Sequence, residues 1–280
     1  MTHSNQNCIC SMTINLWVYC FVCILVLGYY PAVALAQFGS GFEQNSLSGA
    51  AVADAPISFA LGLNPGALDG SSVHWYSARP FGIKELQYAG FSGVITHNNI
   101  SLGSDFSYMG FDLYKEMIFN LGVAYQFERI RVGMSIGSEF VHIPEYGNGS
   151  KYMIGFGYHA SITDNLSVGG SINQISIVES GDFKLDQQTK VLSGFKLKLN
   201  GSVSVLGAIN LRDRLEPDWI WAVSMLLFDR INVNAGFDYP KSEWMIGIAF
   251  KIKNIISGGT LKNHPFLGWS QGFGMGYKFN

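Results

Sequence analysis

Residues 230–239 read Arg-Ile-Asn-Val-Asn-Ala-Gly-Phe-Asp-Tyr, so an extended chain carries Ile231, Val233, Ala235, Phe237 and Tyr239 on one face and Arg230, Asn232, Asn234, Gly236 and Asp238 on the other. The same period of two returns along most of the sequence. Met117, Phe119, Leu121, Val123, Tyr125 and Phe127 oppose Glu116, Ile118, Asn120, Gly122, Ala124 and Gln126, and Trp244, Ile246, Ile248, Phe250 and Ile252 oppose Met245, Gly247, Ala249, Lys251 and Lys253. A period of two is the signature of a strand, and helical periodicity is absent from about Ser71 onward. Large apolar residues on one side and small or polar ones on the other are what a lipid-facing exterior and a crowded or wet lumen require.

Charged residues make up 14% of the chain, whereas a soluble domain carries roughly a quarter. No stretch after Tyr30 is long and apolar enough to be a spanning helix. These two facts leave a large soluble all-β protein or a transmembrane barrel. About fourteen alternating segments of around ten residues can be counted, the length a tilted strand needs to cross the hydrocarbon. They fall near 71–78, 84–97, 99–110, 115–127, 130–142, 151–163, 165–177, 188–199, 202–212, 218–228, 230–239, 243–253, 255–262 and 270–279. The fold class read from them is all-β, a transmembrane antiparallel β-barrel spanning 71–280 with an N-terminal hatch segment in its lumen. Short turns near His97-Asn98, Glu128-Arg129 and Lys253-Asn254 alternate with longer connections expected near Pro144 to Ser150, Glu179 to Gln187 and Asn263 to Gly268. That alternation is expected of a barrel whose rims face different compartments.

The first 36 residues hold no Lys, Arg, Asp or Glu, and Ile14 to Tyr30 is almost wholly apolar. With Ala34 and Ala36 two positions apart, residues 1–36 read as a secretory signal cleaved before Gln37. All four cysteines (Cys8, Cys10, Cys20 and Cys23) lie in this segment, so the mature chain has no disulfide, cysteine metal site or thiol nucleophile.

Gln37 to about Gly70 differs in kind from the strands. Phe42 to Ala55 is expected to form a short helix, and Leu61-Gly62-Leu63-Asn64-Pro65-Gly66-Ala67-Leu68 is irregular because of its proline and glycines. Irregular backbone at membrane depth must lie inside a barrel, where its polar groups find partners away from lipid. Leu47-Ser48-Gly49-Ala50-Ala51-Val52-Ala53-Asp54-Ala55 followed by Asn64-Pro65-Gly66-Ala67-Leu68 resembles the N-terminal pattern of the FadL-like superfamily, which includes long-chain fatty-acid transporters and the PorV/PorQ type of type IX secretion components. The resemblance implies a fourteen-stranded barrel with a hatch in its lumen. The final Phe273-Gly-Met-Gly-Tyr-Lys-Phe-Asn280 is similar to the closing strand of outer-membrane barrels. Tyr76 to Leu86 and His264 to Ser270 resemble segments of Bacteroidetes/Ignavibacteria-type members. The implied location is therefore the outer membrane of a Gram-negative cell. The chain is shorter than typical fatty-acid transporters, a shortfall expected to come out of the outer loops.

A hatch lined by Phe42, Leu47, Phe59, Leu61 and Leu63, with Asn64, Pro65 and Gly66 at its irregular turn, suits a hydrophobic small molecule. Glu116, Arg131, Glu139 and Arg230 are expected as lumen charges, with further inward charges at Asp105, Lys190 and Lys196. Trp219, Trp221, Trp244 and Trp269 suit interfacial girdles. A net charge of −2 gives no basic field for nucleic acid. Neither a nucleophile elbow nor a phosphate loop nor a clustered His/Cys set appears, so no enzyme, metal or cofactor is implied. Two function classes stay open: a passive channel or carrier for small hydrophobic compounds gated by the hatch, or a non-transporting barrel that works with secretion-system proteins. Outer-membrane lipid is the expected surroundings of either.

Overall fold

A computed structural model of the chain describes residues 45–47, 49–55, 59–185, 189–212 and 217–279. The signal segment, its cysteines, Phe42 and Ile57 lie outside the described residues.

Fourteen antiparallel strands follow one another: β1 (Ser72–Arg79), β2 (Tyr88–His97), β3 (Ile100–Phe111), β4 (Tyr114–Phe127), β5 (Ile130–Ile143), β6 (Gly147–Ser161), β7 (Leu166–Gly181), β8 (Lys190–Lys198), β9 (Val203–Arg212), β10 (Asp218–Leu227), β11 (Ile231–Tyr239), β12 (Glu243–Ile252), β13 (Ile255–His264) and β14 (Gly268–Lys278). Each strand pairs with its neighbours in sequence, and β1 pairs with β14 from Ser72↔Lys278 to Arg79↔Gln271, closing the barrel. Closure leaves no sheet edge to be satisfied in lipid, where an unpaired peptide group costs several kcal/mol.

The two faces sort as the alternation requires. Phe119, Leu121, Ile136, Phe156, Ile246 and Phe273 are exposed on the outside, while Ser92, Asp105, Ser135, Asn173 and Asn234 are buried on the inside. Exposed large apolar residues from nearly every strand form a continuous band, which only lipid can cover without cost. Trp219, Trp221 and Trp269 are exposed within it, and Trp244 packs edge-on against Trp269 at 4.7 Å.

Three details depart from the sequence expectations. β2 begins at Tyr88 rather than near residue 84, because Pro80–Gly82 and Lys84–Leu86 form tight 3-10 turns; Phe81 and Gly82 adopt positive φ of 55° and 71°. β6 and β7 run further than expected, so Pro144 to Ser150 shrinks to a turn at 144–146 and the strand reaches Gly181. The expected alternation of loop lengths fails as a result. On the rim opposite the termini, residues 112–113, 240–242 and 265–267 suffice as connections, and only 80–87 and 182–189 are longer. Chain that could have made loops instead lengthens the wall: β7 spans 16 residues and β11 only 9.

β7 also carries register shifts against β6 at Tyr152/Met153 and Ile154/Phe156, with Gln174 at φ 62°. These bulges bring both Ile177 and Val178 to the exposed face, which strict alternation forbids.

Candidate functional site

The described parts of 45–70 run through the bore, and the wall satisfies their backbone. The Phe59 N–H donates to Ser92 Oγ at 3.1 Å, the Leu61 N–H to Asp105 Oδ2 at 3.2 Å, and Ser92 Oγ in turn donates to Asp105 Oδ1 at 2.6 Å. The Leu63 carbonyl accepts from Ser171 Oγ at 2.6 Å and Asn173 Nδ2 at 2.7 Å, and Asn234 Nδ2 donates to Ser46 Oγ at 2.9 Å. Each strand side chain named here faces inward, so it can act for the plug as a neighbouring strand would.

Asn64 is the hub. It is fully buried; its Nδ2 donates to the Val52 carbonyl at 2.7 Å and to the Tyr158 carbonyl at 2.9 Å, while its Oδ1 accepts from the Gly66 N–H at 2.9 Å. One side chain thus ties the early part of the segment, its irregular turn and strand β6. Pro65 follows at the first position of a 3-10 turn, where its missing N–H costs nothing. The Phe42 to Ala55 helix is not continuous: Gly49 stands at φ 86°, and only Ala50–Ala53 form a 3-10 helix before Asp54.

Around this plug the wall is stripped of side chains. Gly103 faces Leu68 and Gly122 faces Leu61; Gly133 faces Pro65 and Gly157 faces Asn64; Gly169 and Gly194 both face Val52. These are cross-strand partners two by two, Gly103↔Gly122, Gly133↔Gly157 and Gly169↔Gly194. The belt continues at Gly90 against Phe59 and Gly247 against Ser46. A Cβ on Gly66 would come within 2.6 Å of Tyr158 Cα, so the approach is backbone to backbone. Within the socket Leu47, Val52, Leu61, Leu63 and Leu68 pack with Val94, Leu192, Leu206 and Ile220 of the wall. Each such side chain contributes roughly 1.5–3 kcal/mol on burial.

Two ion pairs fasten the ends of the plug that face the turns and termini. Asp54 meets Lys196 at 2.6 Å and Asp69 meets Arg131 at 2.9 Å. Beside the second pair a polar cavity of about 530 Å³ opens between the plug and β4–β6, lined by Ala55, Asp69, Gln126, Arg131, His159 and Ser161 among others.

On the other side of the plug the wall is charged. Glu139 pairs with Lys151 at 3.0 Å, and Tyr114 Oη donates to Glu116 at 2.8 Å. Asp218 takes Arg212 at 2.9 Å and Lys241 at 2.6 Å; Lys241 also reaches Asp238 at 2.8 Å, and Lys262 reaches Glu243 at 2.8 Å. Tyr76 and Tyr88 stand in the same mouth, each accepting from Asn45.

Glu116, Glu139 and Arg131 therefore face the bore, the first two in the outer mouth and the third at the opposite end of the plug. Arg230 does not. It is exposed in the β10–β11 turn, where Phe228 and Asp229 adopt positive φ and the Arg230 N–H returns to the Leu227 carbonyl. The alternation that ran through residue 230 begins one residue later, after the chain has reversed. Leu47, Phe59, Leu61, Leu63, Asn64, Pro65 and Gly66 are brought together in the plug. Lys241 lies in a short turn, outside any alternating run, and periodicity gave no means of finding it. Among the described residues no group of His, Cys, Asp and Glu is arranged to hold a metal ion.

No family model matches the sequence, and no curated protein is detectably similar to it. Solved structures are similar in fold. The Ralstonia pickettii toluene transporter TbuX superposes with a TM-score of 0.64 at 10% identity, covering 86% of this chain and 99% of its own. The monoaromatic hydrocarbon channel CymD gives 0.66 at 12% identity, with 88% and 99% covered. The Acinetobacter baumannii outer membrane protein Omp33 gives 0.50 at 10%, with 76% and 99% covered. Likeness at such identities is likeness of fold, and the fold is that of outer-membrane β-barrels.

Proposed function

We propose that this chain is a passive outer-membrane channel or carrier for small hydrophobic compounds, exported by its 1–36 signal to the outer membrane of a Gram-negative cell, with residues 37–70 as its hatch. The observation that carries this reading is the Asn64-Pro65-Gly66 turn seated in the glycine belt. A barrel needed only as a membrane scaffold has no reason to keep a lipid-depth bore wide enough for a plug and then fit an apolar plug to it. The names of two fold neighbours, a toluene transporter and a monoaromatic hydrocarbon channel, support the same class of solute.

The hatch divides into a fixed and a releasable part. Residues 59–68 are buried and held by Asn64, Ser171, Asn173 and Asp105, so moving them breaks several desolvated hydrogen bonds together. The two ion pairs at the other end are partly exposed, and such pairs contribute only about 0–1 kcal/mol each. Opening therefore starts at Asp54–Lys196 and Asp69–Arg131, beside the polar cavity. The test is uptake of radiolabelled toluene by cells that present the barrel in a lipopolysaccharide-bearing outer membrane. Asp54→Asn with Asp69→Asn should raise the rate several-fold, and deletion of residues 45–66 should raise it more. Rates equal to that of the unaltered barrel in both variants would refute the channel reading.

A further inference from the structure

Lys190 opens β8 on the bore face, two residues from the buried Leu192. Directly across the strand pair stands Arg212. Two cations facing each other across a ladder destabilise it unless something neutralises them. The charges that bear on Lys190 are Arg212, Lys241, Lys151 and a single acid, Glu139. Glu139 is already engaged by Lys151. Lys190 itself makes no ion pair or hydrogen bond with any described residue.

Arg212 points to the same gap. Its side chain is 9% exposed, and it spends one nitrogen on Asp218, whose carboxylate is also taken by Lys241 and Asn210. The Arg212 Nε–H is buried with no partner. A buried guanidinium donor left unmade costs about 1–3 kcal/mol or more. Two positive groups from adjacent strands thus lack acceptors at one place in the outer mouth, and the nearby carboxylates are committed elsewhere. Leu192, the next inward residue of β8, packs with the plug's apolar cluster, so a molecule held at Lys190 lays its far end on an apolar floor.

We propose that Lys190 and Arg212 bind the oxyanion of a small organic anion, a carboxylate or a phosphate ester, with its apolar body turned toward the plug. This deepens the channel reading and rests on it for its biological use: the solutes admitted are acids as well as neutral compounds, and the site selects the acids at the mouth. An Arg guanidinium matches the two oxygens of such a group, and Lys190 adds a point charge beside it.

The experiment is calorimetry on the full-length chain in detergent, with benzoate, inorganic phosphate and the neutral benzyl alcohol as probes. Benzoate or phosphate is expected to bind at least tenfold more tightly than benzyl alcohol. Lys190→Gln should weaken that binding about tenfold, the loss of one charge-assisted contact. Binding of benzoate alone assigns the group to a carboxylate, binding of phosphate alone to a phosphate ester, and either supports the site. A second readout is thermal. Lys190→Gln relieves the cross-strand repulsion, so in low-salt buffer its unfolding midpoint should rise, while the unaltered chain should gain that stability only on adding the anion. Equal affinity for benzyl alcohol and the anions, or identical affinities in the unaltered chain and Lys190→Gln, would overturn the proposal. Binding in detergent needs no transport, so a barrel that binds benzoate but leaves toluene uptake unchanged in the hatch variants defeats the channel reading and spares the site.

Discussion

Gly133 of β5 and Gly157 of β6 are cross-strand partners on the bore face, and Pro65 and Asn64 of the plug occupy the space their missing side chains leave. The relation explains why glycine recurs at inward positions of so many strands. A strand interior normally loses stability to glycine through lost packing and added chain entropy. Here the packing is supplied by a second stretch of the same chain.

Gly133→Leu should therefore expel the plug and leave the barrel closed. A leucine side chain at this position meets Pro65 backbone rather than a flexible side chain, so the wall cannot yield cheaply. Limited proteolysis of the folded protein in detergent should then cleave between residues 45 and 70, where the unaltered chain resists. Heat-modifiable mobility on gels should persist. If the segment stays protected, the belt is not what seats it.

Asn64→Ala removes three hydrogen bonds and leaves the Val52 carbonyl and Gly66 N–H buried without those partners. Unmade buried groups cost about 1–3 kcal/mol each, so local opening of 59–68 should become easier by roughly 2–5 kcal/mol. Hydrogen exchange at Gly66 and Leu61 should accelerate by two orders of magnitude or more, while amides of β12 and β13 exchange as before. Uniform acceleration across the barrel would mean that Asn64 supports the fold and not the plug.

Much of this architecture was legible from alternation alone, because a lipid exterior forces large apolar residues onto every second position. Fourteen strands could be placed to within a few residues for that reason. The misreadings fall where another force acts. β7 keeps its apolar face outward through two bulges, and bulges break the parity from which strand ends are read. Arg230 has the parity of a lumen residue but belongs to a turn. Leu61, Leu63 and Asn64 could be picked out as a bore segment from their irregular, apolar sequence. Their partners Ser171, Asn173 and Asn234 could not, since an inward polar residue looks the same whether it meets water or a peptide group.

Ile136→Arg tests the lipid exterior. Ile136 lies in the middle of β5 and is 55% exposed, with Leu121 and Ile154 as its cross-strand neighbours. An arginine at the bilayer midplane costs a barrel about 2–4 kcal/mol. Urea titrations of folding into phosphatidylcholine vesicles should show that loss for Ile136→Arg. Serine at the same position should cost less, because it carries no charge into the hydrocarbon. An Ile136→Arg barrel as stable as the unaltered one would place this face in water.

Lys241 bridges Asp218 and Asp238 from the short β11–β12 turn, and all three side chains are at least nearly nine-tenths buried. Asp238 faces Glu243 directly across the ladder, so without Lys241 two carboxylates oppose each other at the mouth with no cation between them. Arg212 still neutralises Asp218 in that case; the uncompensated charge is Asp238. Breaking one partner of a buried pair costs about 3–5 kcal/mol, more than the pair is worth against apolar replacements. Lys241→Met should thus destabilise the barrel by about 3 kcal/mol in vesicle-folding titrations. Adding Asp238→Asn should restore most of the loss, since the amide removes the repulsion with Glu243 while keeping the shape. A double variant no more stable than Lys241→Met alone would show that the turn is held by its backbone, and that the charges of the mouth are independent of one another.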